Sequence, residues 1–378
     1  MCGDFALISA ALYFVDDEVA TGPWGLSYEE KETLPRTWFD ASVDALYRSD
    51  FLAVPRVESV QTICVLTLCG HNFGATTLLT NLLHIGIKLA VSLGYDKLLP
   101  ETPTSPNAGR VQRELGRRMW ACLYVGEALS PVATQPDALF TECARTAQPA
   151  NIDDENLTDE RAFESKPMST TTYMTHLICV WRLAHRHRLF CRAFQSATSV
   201  KARFQAVKEY SRQLDHVFDD TELGPTSVVA TPAHPQSFDY RPWSRRILKD
   251  GVERQQINAW RLFLRRAYVD ADYAEARQAC LTLARSILAE ASKASPRMYE
   301  KAWYVCLRSH FASELTVPAG RRQTRSWERP SSSPTSTPMP RSATRTRRPF
   351  SPRSQSILRE LSSQRSAMSG KRSVSCAR

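Results

Sequence analysis

Between Leu78 and Leu93 the chain sets Leu78, Leu79, Leu82, Leu83, Ile85, Leu89, Ala90 and Leu93 largely at steps of three and four residues. That spacing gathers apolar side chains on one stripe of a 3.6-residue helix. It does not fit a pleated strand, whose faces alternate every second residue. Val60, Ile63, Val65, Leu66 and Leu68 precede it across a break at Gly70–Gly74. Gly94 follows where a left-handed C-terminal cap needs a residue without a Cβ. The same period recurs in Leu115, Met119, Trp120, Leu123 and Tyr124, within a helix expected over Val111–Leu129. It recurs again in Ile257, Trp260, Leu264 and Ala267, and in Ala276, Cys280, Leu283 and Ile287. A short break at Asp270–Asp272 makes these last two an antiparallel helix pair. Further helices are expected over Phe5–Val15, Leu34–Arg48, Tyr173–Phe194, Val200–Phe218 and Tyr299–Thr316. Loops are expected at 22–25, at Pro100, Pro103 and Pro106, over 131–172, and in a linker holding Pro225, Pro232, Pro235 and Pro242. Strand patterns are nearly absent, so the fold class is all-α.

The net charge of +10 invites a nucleic-acid reading, but its distribution removes that argument from most of the chain. Residues 319–378 hold 14 Lys or Arg and 2 Asp or Glu, whereas the other 318 hold 35 and 37. The same 60 positions carry 15 Ser, 6 Pro and 5 Thr but only five Leu, Ile, Val or Phe. Too little apolar surface is available there to offset chain entropy, so a disordered basic tail is expected over 318–378 after a folded body at 1–317. Its Arg clusters at 321–322 and 345–348 suit nuclear import or loose phosphate contacts, although a charge run is more often simply solvated.

Other function classes find little support. The apolar N-terminus lacks a basic region and runs into Asp16, Asp17 and Glu18, unlike a signal peptide. No apolar run reaches the roughly 18 residues of a membrane span. The ten cysteines include no pair separated by two residues, which argues for buried reduced thiols over a zinc site. Acidic groups at 16–18, 153–155 and 219–220 lack carboxylates one helical turn apart that could share magnesium; only Asp215 and Asp219 have that spacing. His185 and His187, two apart on a helix, point away from each other. No nucleophile elbow, His-Glu-x-x-His or Gly-rich phosphate loop occurs, so neither a cofactor nor a catalytic residue is expected.

Three stretches, in order, carry a family resemblance. Residues 58–94 run from Glu-Ser-Val-Gln-Thr-Ile-Cys-Val-Leu to a helix ending in Leu93 and Gly94. Arg117, Arg118, Met119 and Trp120 form Arg-Arg-x-Trp, and residues 149–157 contain Pro149, Asn151, Asp153 and Asp154 in Pro-x-Asn-x-Asp-Asp. Together they resemble the fungal-specific transcription factor domain, the middle homology region of binuclear zinc-cluster regulators. The xylanolytic activators carry a regulatory domain of this kind. The resemblance covers 1–316 and departs at Glu127, in place of the usual Asp, and at Thr134-Gln135-Pro136, in place of Gly-Arg-Pro.

What the resemblance implies is a non-catalytic regulatory module in the nucleus. Its helices would shift on binding a small-molecule effector or a full-length zinc-cluster transcription factor, as a homo- or hetero-dimer. The chain holds no six-cysteine zinc cluster, so direct sequence-specific DNA binding is not expected. It starts inside the regulatory domain, and the sequence after Pro318 reads like translation in a shifted frame or through an intron. The motif residues themselves are expected to be mainly structural, with one Arg paired to a carboxylate and Trp120 packed inward. Two readings stay open beside this one: an all-α enzyme of unrecognised type, and a remnant without a stable fold.

Overall fold

The computed structural model describes residues 2–102, 104–129, 145–158, 164–223 and 240–291. The expected helix at Tyr299–Thr316, the basic tail with its boundary at 317/318, and parts of the 131–172 loop and the 225–242 linker lie outside the described residues. Among those residues every regular element is helical. In order they are α1 (Cys2–Phe14), α2 (Asp17–Thr21), α3 (Tyr28–Arg48), α4 (Val57–Leu66), α5 (Thr76–Ser92), α6 (Arg110–Ala128), α7 (Thr175–Ser196), α8 (Val200–Asp215), α9 (Arg241–Leu264) and α10 (Ala274–Ala291). The protein is thus all-α, and no described helix is long and apolar enough to cross a membrane.

Two apolar cores share one helix. The first collects Phe39, Leu46, Ile63, Leu82, Ile87 and Leu123 from α3 to α6. The second collects Val125, Leu183, Val207, Leu248, Trp260 and Cys280 from α6 to α10. The α6 helix sends Met119, Trp120 and Leu123 into the first and Val125 and Ala128 into the second, and Tyr124 packs against both. A helix apolar over so wide an arc is buried from two sides, so α6 fixes how the halves meet.

Helix ends follow local chemistry. The α5 helix stops where Gly94 takes φ 78° and its N–H donates to Val91 O at 2.9 Å, as the Leu-Gly pair leads one to expect. The α3 helix begins at Tyr28, six residues before the expected Leu34. Ser27 and Glu30 form a capping box there, with Glu30 N donating to Ser27 Oγ at 3.1 Å and Ser27 N to Glu30 Oε2 at 2.9 Å. Pro35 then sits inside the helix, an exception to its usual role as a breaker, and its carbonyl accepts from Ser9 Oγ at 2.7 Å. Pro242, expected in a linker, instead lies in the first turn of α9, where a missing N–H costs no intrahelical bond. The α9 and α10 helices run antiparallel, since Lys249 near the start of α9 meets Glu290 near the end of α10 at 3.3 Å.

Candidate functional site

The three motif stretches meet around the first half of α6. Glu114, fully buried, is the common acceptor of the second and third. It takes Arg117 Nε at 2.8 Å on Oε2, and Arg118 Nε at 3.3 Å and the Ala150 backbone N–H at 3.0 Å on Oε1. Helical spacing of three and four residues makes the first two contacts local. The third ties α6 to the Pro-x-Asn loop. Arg118 reaches the same loop from the other side, with Nη1 donating to Asp154 Oδ1 at 2.6 Å and Nη2 to Ile152 O at 3.4 Å. Arg118 is 12% exposed and Asp154 78%, so a surface carboxylate covers a nearly buried guanidinium.

Glu101 gathers Arg110 and Arg113 and shares Arg117 with Glu114. Arg113 grips it bidentately at 2.8 Å and 2.8 Å. Arg117 reaches Glu101 Oε1 at 3.3 Å and Leu99 O at 2.8 Å. Arg110, 1% exposed, has its Nε 3.5 Å from Glu101 Oε2 and donates through Nη2 to Ser105 O at 3.1 Å. Hydrogen bonding from Arg113, with Arg117 adding its charge, holds the Glu101 carboxyl down to about 2. Buried charges survive only when paired in this way.

Asn151, 1% exposed, joins the next loop. Its side-chain amide donates to Lys166 O at 3.3 Å, Pro167 O at 3.1 Å and Thr170 O at 2.9 Å. Its Oδ1 accepts from Thr172 Oγ1 at 2.7 Å and Thr175 Oγ1 at 2.8 Å, at the start of α7. Its two N–H donors are shared among three carbonyls and its oxygen takes both hydroxyls, so neither Asp nor Ala could replace it. Asp153 accepts from Lys166 Nζ at 2.8 Å and from Tyr173 N at 3.3 Å, and Pro149, four residues earlier, is buried.

The Leu93–Gly94 turn reaches this network through the segment after it. Arg145 N donates to Asp96 O and Ala147 N to Leu98 O, each at 2.8 Å, so residues 96–98 lie along the run leading to Pro149. Gly116 of α6 closes the packing: a Cβ there would meet Leu98 Cδ1 at 2.6 Å. Trp120, 5% exposed, points instead into the first core. The structure therefore gathers Arg117, Arg118, Pro149, Asn151, Asp153 and Asp154 directly, Leu93 and Gly94 through one extended segment, and Trp120 by its helix. The sequence reading missed the acceptors. Glu114 was recoverable from its spacing to Arg117 and Arg118, whereas Glu101 lies in a loop with no local signal.

The other titratable groups have separate partners. Asp215 accepts from Gln256 Nε2 at 2.7 Å, whereas Asp219 pairs with His216 at 2.8 Å. His185 stacks on Trp181 and meets Tyr124 Oη at 3.3 Å, and His187 meets Tyr210 Oη at 3.2 Å. Burial pushes His187 down to about 4, as it does His176, whose Nδ1 lies 2.6 Å from Ser244 Oγ. Among the described residues, no group of three or more His, Cys, Asp or Glu is arranged to hold a metal ion. A cleft bounded by Leu129, Leu183, Leu248 and Arg254 offers about 20 Å³, room for a water rather than an organic effector. Comparison with family models, curated proteins and solved structures found no match.

Proposed function

We propose that the chain is a regulatory module of the fungal zinc-cluster type, acting in the nucleus without a DNA-reading element among its own residues. One observation carries this reading. The Arg-Arg-x-Trp and Pro-x-Asn-x-Asp-Asp stretches, far apart in sequence, meet in one hydrogen-bonded network in the first half of α6, and the segment after the Leu-Gly turn pairs with the run leading into it. Residues resembling a family's motif are expected to act together if the likeness extends to the fold.

The network suggests how such a module works. The α6 helix belongs to both cores, and the loop at 150–154 is clamped to it by Glu114 and Arg118. A partner that engages the exposed Asp154 competes with Arg118 for that carboxylate. It would thereby bias the position of α6 and, through it, both halves of the body. Promoter association would come through a full-length zinc-cluster factor, with which this chain pairs.

Chromatin immunoprecipitation of the epitope-tagged full chain from fungal nuclei tests this. Enrichment at a set of promoters, lost when the DNA-binding partner is deleted, is the expected result. Exclusion from nuclei, with no promoter enriched over an untagged control, would overturn the reading.

A further inference from the structure

Cys64 and Cys122 lie on facing helices that pack together in the first core, α4 and α6. Cys64 Sγ is 3.9 Å from the carbonyl oxygen of Met119, and Cys122 follows Met119 by three residues, one turn along the same side of α6. That places both cysteines at the same turn of the α4–α6 contact. Both cysteines are free and both keep partial solvent exposure, unlike Cys69, Cys179 and Cys280, which are buried. Arg118, one turn before Cys122, supplies a positive charge beside it.

We propose that Cys64 and Cys122 form a reversible, peroxide-sensitive disulfide that locks α4 to α6. The two thiols are not equivalent. The hydrogen bond from Cys64, aided by the Arg118 guanidinium, brings the Cys122 thiol below its ordinary value against the effect of burial. The same hydrogen bond, with burial, pushes Cys64 up, so Cys64 keeps its proton. Cys122 is therefore the thiolate that attacks. Its sulfur takes the terminal oxygen of a hydroperoxide as the O–O bond breaks, leaving Cys122 sulfenic acid and hydroxide or alkoxide, which picks up a proton from water. The Cys64 sulfur then displaces that hydroxyl, the S–S bond forms, and the thiol proton leaves with it as water. Peroxide is reduced by two electrons and the two thiols are oxidised by two.

Oxidation closes a loop of about 60 residues and fixes α6 one turn from Arg118, which bonds Asp154. This inference stands independently of the transcriptional reading, because it rests on two thiols and not on the motif network.

The test uses the full chain, reduced, desalted and treated with hydrogen peroxide, then alkylated with a maleimide, digested and mapped by mass spectrometry. The expected product is a Cys64–Cys122 cross-linked peptide that dithiothreitol reverses, with a melting temperature about 5–10 °C above that of the reduced chain. In Cys64→Ser, dimedone should label Cys122 as a stable sulfenic acid. Recovery of both cysteines as alkylated thiols, or a disulfide from either to a different cysteine, would overturn the proposal. The wild-type map decides the matter even where a variant folds poorly.

Discussion

Replacing Glu114 by Gln probes the buried network at its most connected atom pair. The side chain is fully buried and accepts from Arg117, Arg118 and the Ala150 N–H. Gln keeps the shape and one acceptor oxygen but loses the charge, and its NH2 faces a guanidinium. Breaking a buried ion pair by removing one partner costs about 3–5 kcal/mol. Here Arg117 retains Glu101 at 3.3 Å and Arg118 retains Asp154 at 2.6 Å, so the loss falls at the lower end, about 3 kcal/mol. Unfolding entropy of about 2.1 cal/mol/K per residue, over a body of roughly 290 residues, converts that into a fall of about 5 °C in Tm. Circular dichroism melting at pH 7 measures it, with exposed Glu32→Gln as the control, expected to shift by less than about 1 °C. A Glu114→Gln shift as small as the control's would refute the claim that Glu114 holds the loop to α6.

Asn151→Ala leaves three carbonyls and two hydroxyls short of a partner and should cost about 3 kcal/mol, with faster amide exchange over 164–172 measured by mass spectrometry. Ser27→Ala removes the cap of α3 and should cost about 1 kcal/mol in urea unfolding. Acid should weaken the fold in two stages. His176 and His187 are held near 4 by burial, below the ordinary 6.5, so the unfolded chain binds protons first as pH falls from 6.5 towards 4. At pH 5 each should cost about 2 kcal/mol relative to pH 7, and His187→Phe should flatten the urea-midpoint profile over that range. Glu101, held at about 2, adds stability that is present above 4.5 and is lost as pH falls from there to 2.

The helices were legible because burial on one side leaves a period in the sequence. The α5 stripe and its Leu93–Gly94 end show it, and so does the α9–α10 pair. Errors fell where capping or backbone geometry outweighed apolar period. The Ser27–Glu30 box starts α3 in a polar segment, and Pro242 opens α9 although proline reads as a linker. The site was half legible. Arg117, Arg118, Asn151, Asp153 and Asp154 stood out through a family likeness, but their partners come from long-range closure. Glu101 and the carbonyls at 166, 167 and 170 carry no local signature, because a loop backbone can present a carbonyl from any residue type.

A double-mutant cycle on Glu114→Gln and Asn151→Ala tests most directly whether the Arg-Arg-x-Trp helix and the Pro-x-Asn loop form one network. The Ala150 N–H bonded to Glu114 is adjacent in the chain to Asn151. Unfolding free energies of the two single variants and the double variant should therefore be non-additive, with a coupling above about 0.5 kcal/mol. Losses that simply add, within about 0.3 kcal/mol, would contradict the account.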